Sequence, residues 1–572
     1  MNTYRNVLAQ TLEAQTPLER EDIDRLLAVP QDSANGHFTL PCFSLAKSLK
    51  KSPKIIAEEL VTVLSLPTPF IHIEAVNGYL NFFLDTLQLS HDILSQIALN
   101  KSTYGHSVPN GRNVIVDYSS PNIGKQLAFH HLRSTMIGNS LYRTYKAAGF
   151  NTTGINHLGD WGTQFGKLIV MYLRSGKPTD EATLNSVTLD ELNQMYVAFS
   201  KIAAEHPELE DEARLAFSNL EAKEPLHIQL WEAFKAVTMK ELISLYEMMN
   251  VSFDSYTGES FFNDHLESVI DVLTEKGLMS HSQERDVVIL DQYDMPPCLI
   301  RKSDGSSLYA TRDFAAARYR AETYNFEKCL YIVDNGQNLH FKQVFKVLEL
   351  CGYDWAKGSE HVPFGLILHW DEKAQKWSKG SSKMGNSSTL KEVFFAARDK
   401  IMTLINEKNP DLANKEDIAL KIGISALVFN DLKSRRLGDV KFDWDKALSF
   451  EGDTGPYVQN AHVRLCSIMR KAGRTVQIEE VNFEHIQDPE AYELILILSQ
   501  LSKRIIAVTE SNEPCILTQY SLHIAEAAHR FIHHCRILGS EQETARLFLA
   551  QCTQQVLENT LTLLGVSPIR EM

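Results

Sequence analysis

The stretch from Asp117 to Thr135, DYSSPNIGKQLAFHHLRST, decides the fold. It begins where the apolar run Val114-Ile115-Val116 ends and turns through Ser-Ser-Pro-Asn. It then reads as helix from about Lys125 through Leu132 to Leu141. An apolar strand, a polar turn and a helix start are the parts of a nucleotide crevice in an open α/β sheet. The unpaired N–H groups of a helix start carry partial positive charge and suit phosphate. The paired histidines His130-His131 sit about one and a half turns into the expected helix.

Around this stretch, residues 111–421 alternate apolar β-type runs with helical ones, which predicts a mostly parallel sheet. Candidate strands are 113–118, 287–290, 298–301, 329–333 and 364–368. Residues from about 180 to 250 are helical and acidic and read as an insertion. Residues 1–110 read as a small α+β domain, with a helix at about 3–15 and a hairpin in IHIEAVNGYLNFFLD turning at Asn77-Gly78. Lys47, Lys50, Lys51 and Lys54 form one basic helix face there, either a solvated surface or an RNA-backbone contact. Residues 422–572 carry only helical periodicity, over 422–432, 455–472, 490–511, 516–536 and 541–564, and read as an all-α bundle.

Composition narrows the class. A chain of 572 residues exceeds one core, so two to four domains are expected. No apolar run approaches the roughly 20 residues of a membrane span, and the polar N-terminus has no secretory pattern. The eight cysteines are scattered without a CxxC pair, so reduced thiols, a cytoplasmic location and no structural metal are expected. A net charge of −15 argues against indiscriminate nucleic-acid binding. It leaves room for a local basic track, and Lys433, Arg435, Arg436, Arg464, Arg470, Lys471, Arg474, Lys503, Arg504, Arg530 and Arg536 gather in the helical end.

Further stretches have ligand chemistry. Asn156 to Gly166, NHLGDWGTQFG, sets three glycines beside Asp160 and Gln164, as a ligand loop or as a loop around a buried Trp161. Tyr309-Ala310-Thr311-Arg312-Asp313 opens a helix, with Asp313 either complementing its dipole or facing a cationic ligand. Gln337 and His340 follow strand 329–333, where a parallel strand's C-terminal end meets ligand. The Lys/Ser/Gly-rich run KWSKGSSKMGNSSTLKEVF reads as a loop able to close over polyphosphate with Lys379 and Lys383, or as a solvated linker.

Taken together, SSPNIGK (119–125), HLRST (131–135), NHLGDWGTQFG, YTGES (256–260), LYATRD (308–313), LHFKQVF (339–345), FDWDKALSFEGDTGPYVQNAHVR (442–464) and the terminal REM closely resemble arginyl-tRNA synthetase, a class I aminoacyl-tRNA synthetase, over nearly the whole chain. The resemblance implies a Rossmann-type class I core, an N-terminal additional domain touching tRNA and a C-terminal anticodon-binding bundle. It implies ATP-dependent activation of L-arginine, Mg²⁺ assisting, and transfer of the arginyl group to the 3′ end of tRNA(Arg). A monomer with no membrane association is expected.

By the same resemblance, Glu259 and Asp313 face the guanidinium and Tyr309 lines its site. Asn122 and Gln337 hold the α-amino and carboxylate ends, and Asp117 takes a position that is acidic in the family. ATP is expected to meet Ser119, Lys125, His131, Gly159, Asp160, Gly162, Gln164 and Lys379. His131, His130, Lys379 and Lys383 would serve the chemistry. Two departures stand out. The family's His-x-Gly-His reads Ala128-Phe129-His130-His131, and the Lys-Met-Ser-Lys loop aligns either as Lys376 to Lys379 or as Lys379 to Lys383. Ala128 and His130 also leave open an alternative, a weakened paralogue that binds tRNA or regulates.

Overall fold

The structure is a computed structural model that describes residues 2–30, 35–282, 285–301, 309–371, 375–378 and 389–572. Two compact units emerge. One comprises Met1–Tyr104, Arg464–Leu501 and His523–Leu557; the other comprises Gly105–Val463, Ser502–Leu522 and Glu558–Met572.

The second unit holds a four-stranded parallel sheet. Its strands are β1 (Asn113–Asp117), β2 (Asn151–Ile155), β3 (Lys328–Tyr331) and β4 (Ser359–His361), in the order β4-β3-β1-β2. β1 pairs with β2 from Asn113↔Asn151 to Asp117↔Ile155, and with β3 from Val114↔Lys328 to Asp117↔Tyr331. The chain leaves β1 through helix α1 (His131–Ala147) to reach β2 on one side, and later returns as β3 on the other. That reversal opens a crevice at the strands' C-terminal ends. Val114, Ile115 and Val116 are buried, as sheet faces covered on both sides require. α1 is buried along almost its whole length, and a Cβ at Gly138 would stand 2.1 Å from the Tyr118 side chain. That glycine lets the helix press against the residue following β1.

Several expectations change. The helix begins at His131, not near Lys125. The Leu390 N–H donates to the Leu127 carbonyl at 2.7 Å, and Ala128 bridges Thr389, so residues 127–128 spend their backbone groups outside a helix. Strands 287–290 and 298–301 appear as Arg285–Val288 and Cys298–Arg301, but in an antiparallel sheet with Met279–Ser282. Strand 364–368 appears as Ile367–Asp371, paired to Lys376–Ser378 and Val440–Lys441 away from the parallel sheet. The acidic segment forms four helices, Glu181–Ser186, Leu189–Glu205, Glu208–Glu221 and Pro225–Met248.

In the first unit, Phe70–Val76 and Tyr79–Leu84 form the expected hairpin, with Asn77 and Gly78 both at positive φ, as a tight two-residue turn requires. The basic face does not form: helices Ala46–Leu49 and Pro53–Val63 are separated by Lys50 in a left-handed conformation, and Lys51 and Lys54 pair with Glu59 and Glu58. The expected 490–511 helix divides into Pro489–Leu498 and Leu501–Ser511. All eight cysteines are free and buried. Among the described residues no helix is long and apolar enough to cross a membrane.

Candidate active site

The crevice is built on a turn held in an uncommon backbone conformation. Ser119 and Ser120 follow β1 with φ of +71° and +45°, a region costly for side-chain-bearing residues. Side chains from three elements hold it. The Ser119 hydroxyl bonds the hydroxyls of Thr135 and Tyr246, both at 2.8 Å, and its N–H donates to Ser134 Oγ. The Ser120 N–H donates to Asn156 Oδ1, whose Nδ2 donates to Tyr246 Oη. Ser119 is thus buried as an anchor of the turn. Asp117 at the end of β1 is also engaged: Oδ2 lies 2.8 Å from Arg320, and Oδ1 accepts from the Ser120 hydroxyl. Burial alone would disfavour the Arg320 charge; the Asp117 carboxylate overrides it, and the guanidinium lies over the Tyr331 ring.

Past the turn, Asn122 is exposed and its backbone runs alongside Gly159. A Cβ at Gly159 would stand 2.3 Å from Asn122 Oδ1, so the glycine makes room for that side chain. The Gly159 carbonyl accepts from Gln164 Nε2. Gly162, at φ +133° with nothing within 4 Å of a built Cβ, presents open backbone before helix Thr163–Arg174. Asp160 is fully buried: Lys235 lies 2.5 Å from Oδ2, the Ser260 N–H and hydroxyl donate to its two oxygens, and Trp231 donates to its carbonyl. Lys125 extends over the Tyr196 ring of the helical insertion.

At the start of α1, the rings of His130 and His131 stack. His131 Nδ1 lies 3.0 Å from both the N–H and the carbonyl of Ala128. Burial first, then the neighbouring His130, push its pKa down to about 4, so the ring is neutral near pH 7. The neutral ring either accepts the Ala128 N–H at Nδ1, which leaves the proton on Nε2, or donates from Nδ1 to the Ala128 carbonyl.

A second cluster collects acids. Helix α2 (Tyr309–Tyr324) carries Arg312, Asp313 and Arg320, and helix α3 (Asn338–Leu350) carries His340. Asp313 Oδ2 lies 2.5 Å from His340 Nε2. The Glu259 carboxyl is pushed up to about 8, chiefly by burial; Arg312 opposes the shift, and the carboxylates of Asp313 and Asp160 add to it. Gln337 is exposed just before α3, beyond the C-terminal end of β3. The Tyr309 side chain, Lys379 and Lys383 lie outside the described residues. Tyr246, Lys235, Arg320 and Ser260 hold this constellation together. Ser260 stands in the string YTGES, whereas Tyr246, Lys235 and Arg320 show in the sequence only as polar residues in otherwise apolar-periodic segments.

Three family models match the chain: "tRNA synthetases class I (R), catalytic domain" over residues 93–444, "DALR anticodon binding domain" over 458–572 and "Arginyl tRNA synthetase N terminal domain" over 2–84. The arginine–tRNA ligases of Alkaliphilus metalliredigens and Clostridium perfringens are each 43% identical, over 576 and 573 residues, covering 100% of both chains. The fold matches the Thermus thermophilus arginyl-tRNA synthetase with a TM-score of 0.78 at 24% identity over 100% of both chains. It matches the Plasmodium falciparum enzyme with a TM-score of 0.77 at 24% identity, covering 100% of this chain and 99% of that one. Matched over its whole length by curated relatives and over residues 93–444 by the catalytic-domain model, this chain belongs to the arginyl-tRNA synthetases of class I.

Proposed function

We propose that the crevice activates L-arginine with ATP and transfers the arginyl group to the 3′ end of tRNA(Arg). The observation that carries this reading is the neighbouring pair Glu259 and Asp313. Burial chiefly, with Asp313 and Asp160 adding and Arg312 opposing, raises the Glu259 carboxyl to about 8, so a bound cation would favour its ionised form. A guanidinium, with a planar fork of N–H donors, meets two carboxylates in a way an ammonium does not. Asn122 and Gln337 then hold the amino acid's α-amino and carboxylate ends, and Tyr309 lines the guanidinium site. Asp117, Ser119 and Asp160 act as positioning residues, since their side chains are occupied by Arg320, by Thr135 and Tyr246, and by Lys235 and Ser260.

In the first step an arginine carboxylate oxygen attacks the α-phosphate of ATP, and pyrophosphate leaves. Mg²⁺ accompanying ATP would offset phosphate charge. His131 donates from Nε2 to phosphate oxygens, and the α1 N-terminus adds its partial charge. His130 supplies the imidazole absent at Ala128, while Lys379 and Lys383 carry the loop's positive charge. Gly159, Gly162 and Gln164 line the nucleotide side, and Lys125 the phosphate entrance. In the second step the terminal ribose hydroxyl attacks the adenylate carbonyl and AMP leaves. Residues 1–110 and 422–572 contact tRNA. In the helical segment Arg436, Arg474 and Arg530 pair with acids, leaving exposed Arg435, Lys471 and Lys503 for phosphate. The protein acts as a monomer, and the buried free thiols suit the cytoplasm.

Arginine-dependent pyrophosphate exchange, with and without tRNA, tests the reading. Exchange is expected with arginine and not with lysine. Tight tRNA binding without any exchange would overturn it.

A further inference from the structure

Asp313 has a partner of its own. His340, on α3, sets Nε2 at 2.5 Å from Asp313 Oδ2 on α2, and both side chains are about one-quarter exposed. A carboxylate only accepts, so the imidazole donates. The helices that carry the two residues share a core: Phe314 and Ala317 of α2 and Val344 and Leu348 of α3 belong to one buried cluster. The His340 ring lies edge-on to Phe341, with centroids 5.4 Å apart, and Phe341 in turn stacks on His361, which bonds Asn338 and the Val333 carbonyl.

We propose that His340 is a positioning residue for substrate recognition. By donating to Oδ2 it fixes the Asp313 carboxylate in one orientation, with Oδ1 presented to the guanidinium beside Glu259. The inference rests on the reading of Asp313 as a guanidinium contact. Its physical basis is rotational. A carboxylate has a broad, roughly two-fold terminal torsion, whereas a planar guanidinium rewards a fixed oxygen position. A hydrogen bond to one oxygen removes that freedom before substrate arrives, so arginine binding does not bear the ordering cost.

The test uses the full-length chain and three variants. His340→Ala is expected to raise the arginine KM about tenfold, the scale of one hydrogen bond to a charged group. The kcat and the KM for ATP should stay within about twofold. His340→Gln puts an amide N–H where Nε2 was and is expected to restore the arginine KM to within about threefold of the parent. Asp313→Asn separates the two layers. If it leaves the arginine KM unchanged, the reading of Asp313 fails. If it raises that KM while His340→Ala does not, Asp313 stands and the role of His340 is overturned. A fall in kcat and a rise in the ATP KM together, unrescued by glutamine, would make His340 a general structural residue and also overturn the proposal.

Discussion

The imidazoles of His130 and His131 stack with ring centroids 4.2 Å apart and 30° between their planes. Two rings so close do not both carry charge cheaply, and His131 is the one kept neutral by burial. His131→Ala should slow pyrophosphate exchange about 10²-fold, the usual cost of one transition-state donor. His130→Ala should cost a similar factor, because Ala128 offers no second donor. The double substitution Ala128→His with His130→Gly should return exchange to within about tenfold of the parent. An unchanged rate in His130→Ala would remove His130 from the chemistry.

Glu259 makes arginine binding depend on pH. Its folded value, about 8, lies above its ordinary 4.5. The stabilisation this gives the free fold is complete below pH 4.5 and lost as pH rises through about 8. The guanidinium prefers the ionised form, so arginine uptake expels a proton. The arginine KM should fall about tenfold between about pH 7 and 9, and calorimetry in buffers of different ionisation enthalpy should register the proton. Glu259→Gln should weaken arginine binding about 10²-fold and flatten the profile.

Gly159 tests a contact made through absence. Its missing Cβ leaves the space that Asn122 Oδ1 occupies. Gly159→Ala should displace the Asn122 carboxamide and raise the arginine KM about tenfold. The melting temperature should barely move, since Asn122 is exposed. A large loss of stability with an unchanged KM would contradict this account.

Arg133 and Asp431 form a buried pair between α1 and helix Lys415–Leu432, with Nε and Oδ1 3.5 Å apart and side chains 1% and 3% exposed. Arg133 also donates to the carbonyls of Leu366 and Arg436. Burial pushes the Asp431 carboxyl up to about 6, against the pull of Arg133. Arg133→Met, which strands the acid, should cost about 3–5 kcal/mol in denaturant unfolding of the catalytic unit. Adding Asp431→Leu should recover most of that loss.

Much of this architecture was legible in the chain. The apolar run before Asp117 announces β1, and Asn77-Gly78 announces its hairpin, because both signals are local. Arg285–Val288 and Cys298–Arg301 were legible as strands but not as an antiparallel pair, since alternation says nothing about which neighbour a strand finds. β2 was missed because NTTGI is polar and carries a glycine, and its burial comes from partners elsewhere. The helix start was misplaced because Leu127 and Ala128 pair with residues 389–390, a contact about 260 positions away. In the site, residues meant to face ligand stand in short recognisable strings. Those that hold them, such as Arg320, Lys235, Tyr246 and His340's bond to Asp313, lie on helices whose neighbours only the fold reveals.

The backbone pairing of residues 127–128 with 389–390 also bears on the alanine at 128, where the resemblance leads one to expect a histidine. Ala128 contributes main-chain groups to Thr389 and to His131, and its methyl group takes part in neither. The link between the start of α1 and helix Leu390–Lys408 is therefore made by main-chain atoms at 128, although the alanine itself is buried and only a side chain that fits there would preserve it. A histidine could be lost there without loosening that link. The substitution places its burden on chemistry alone, where a neighbouring imidazole was within reach to assume it.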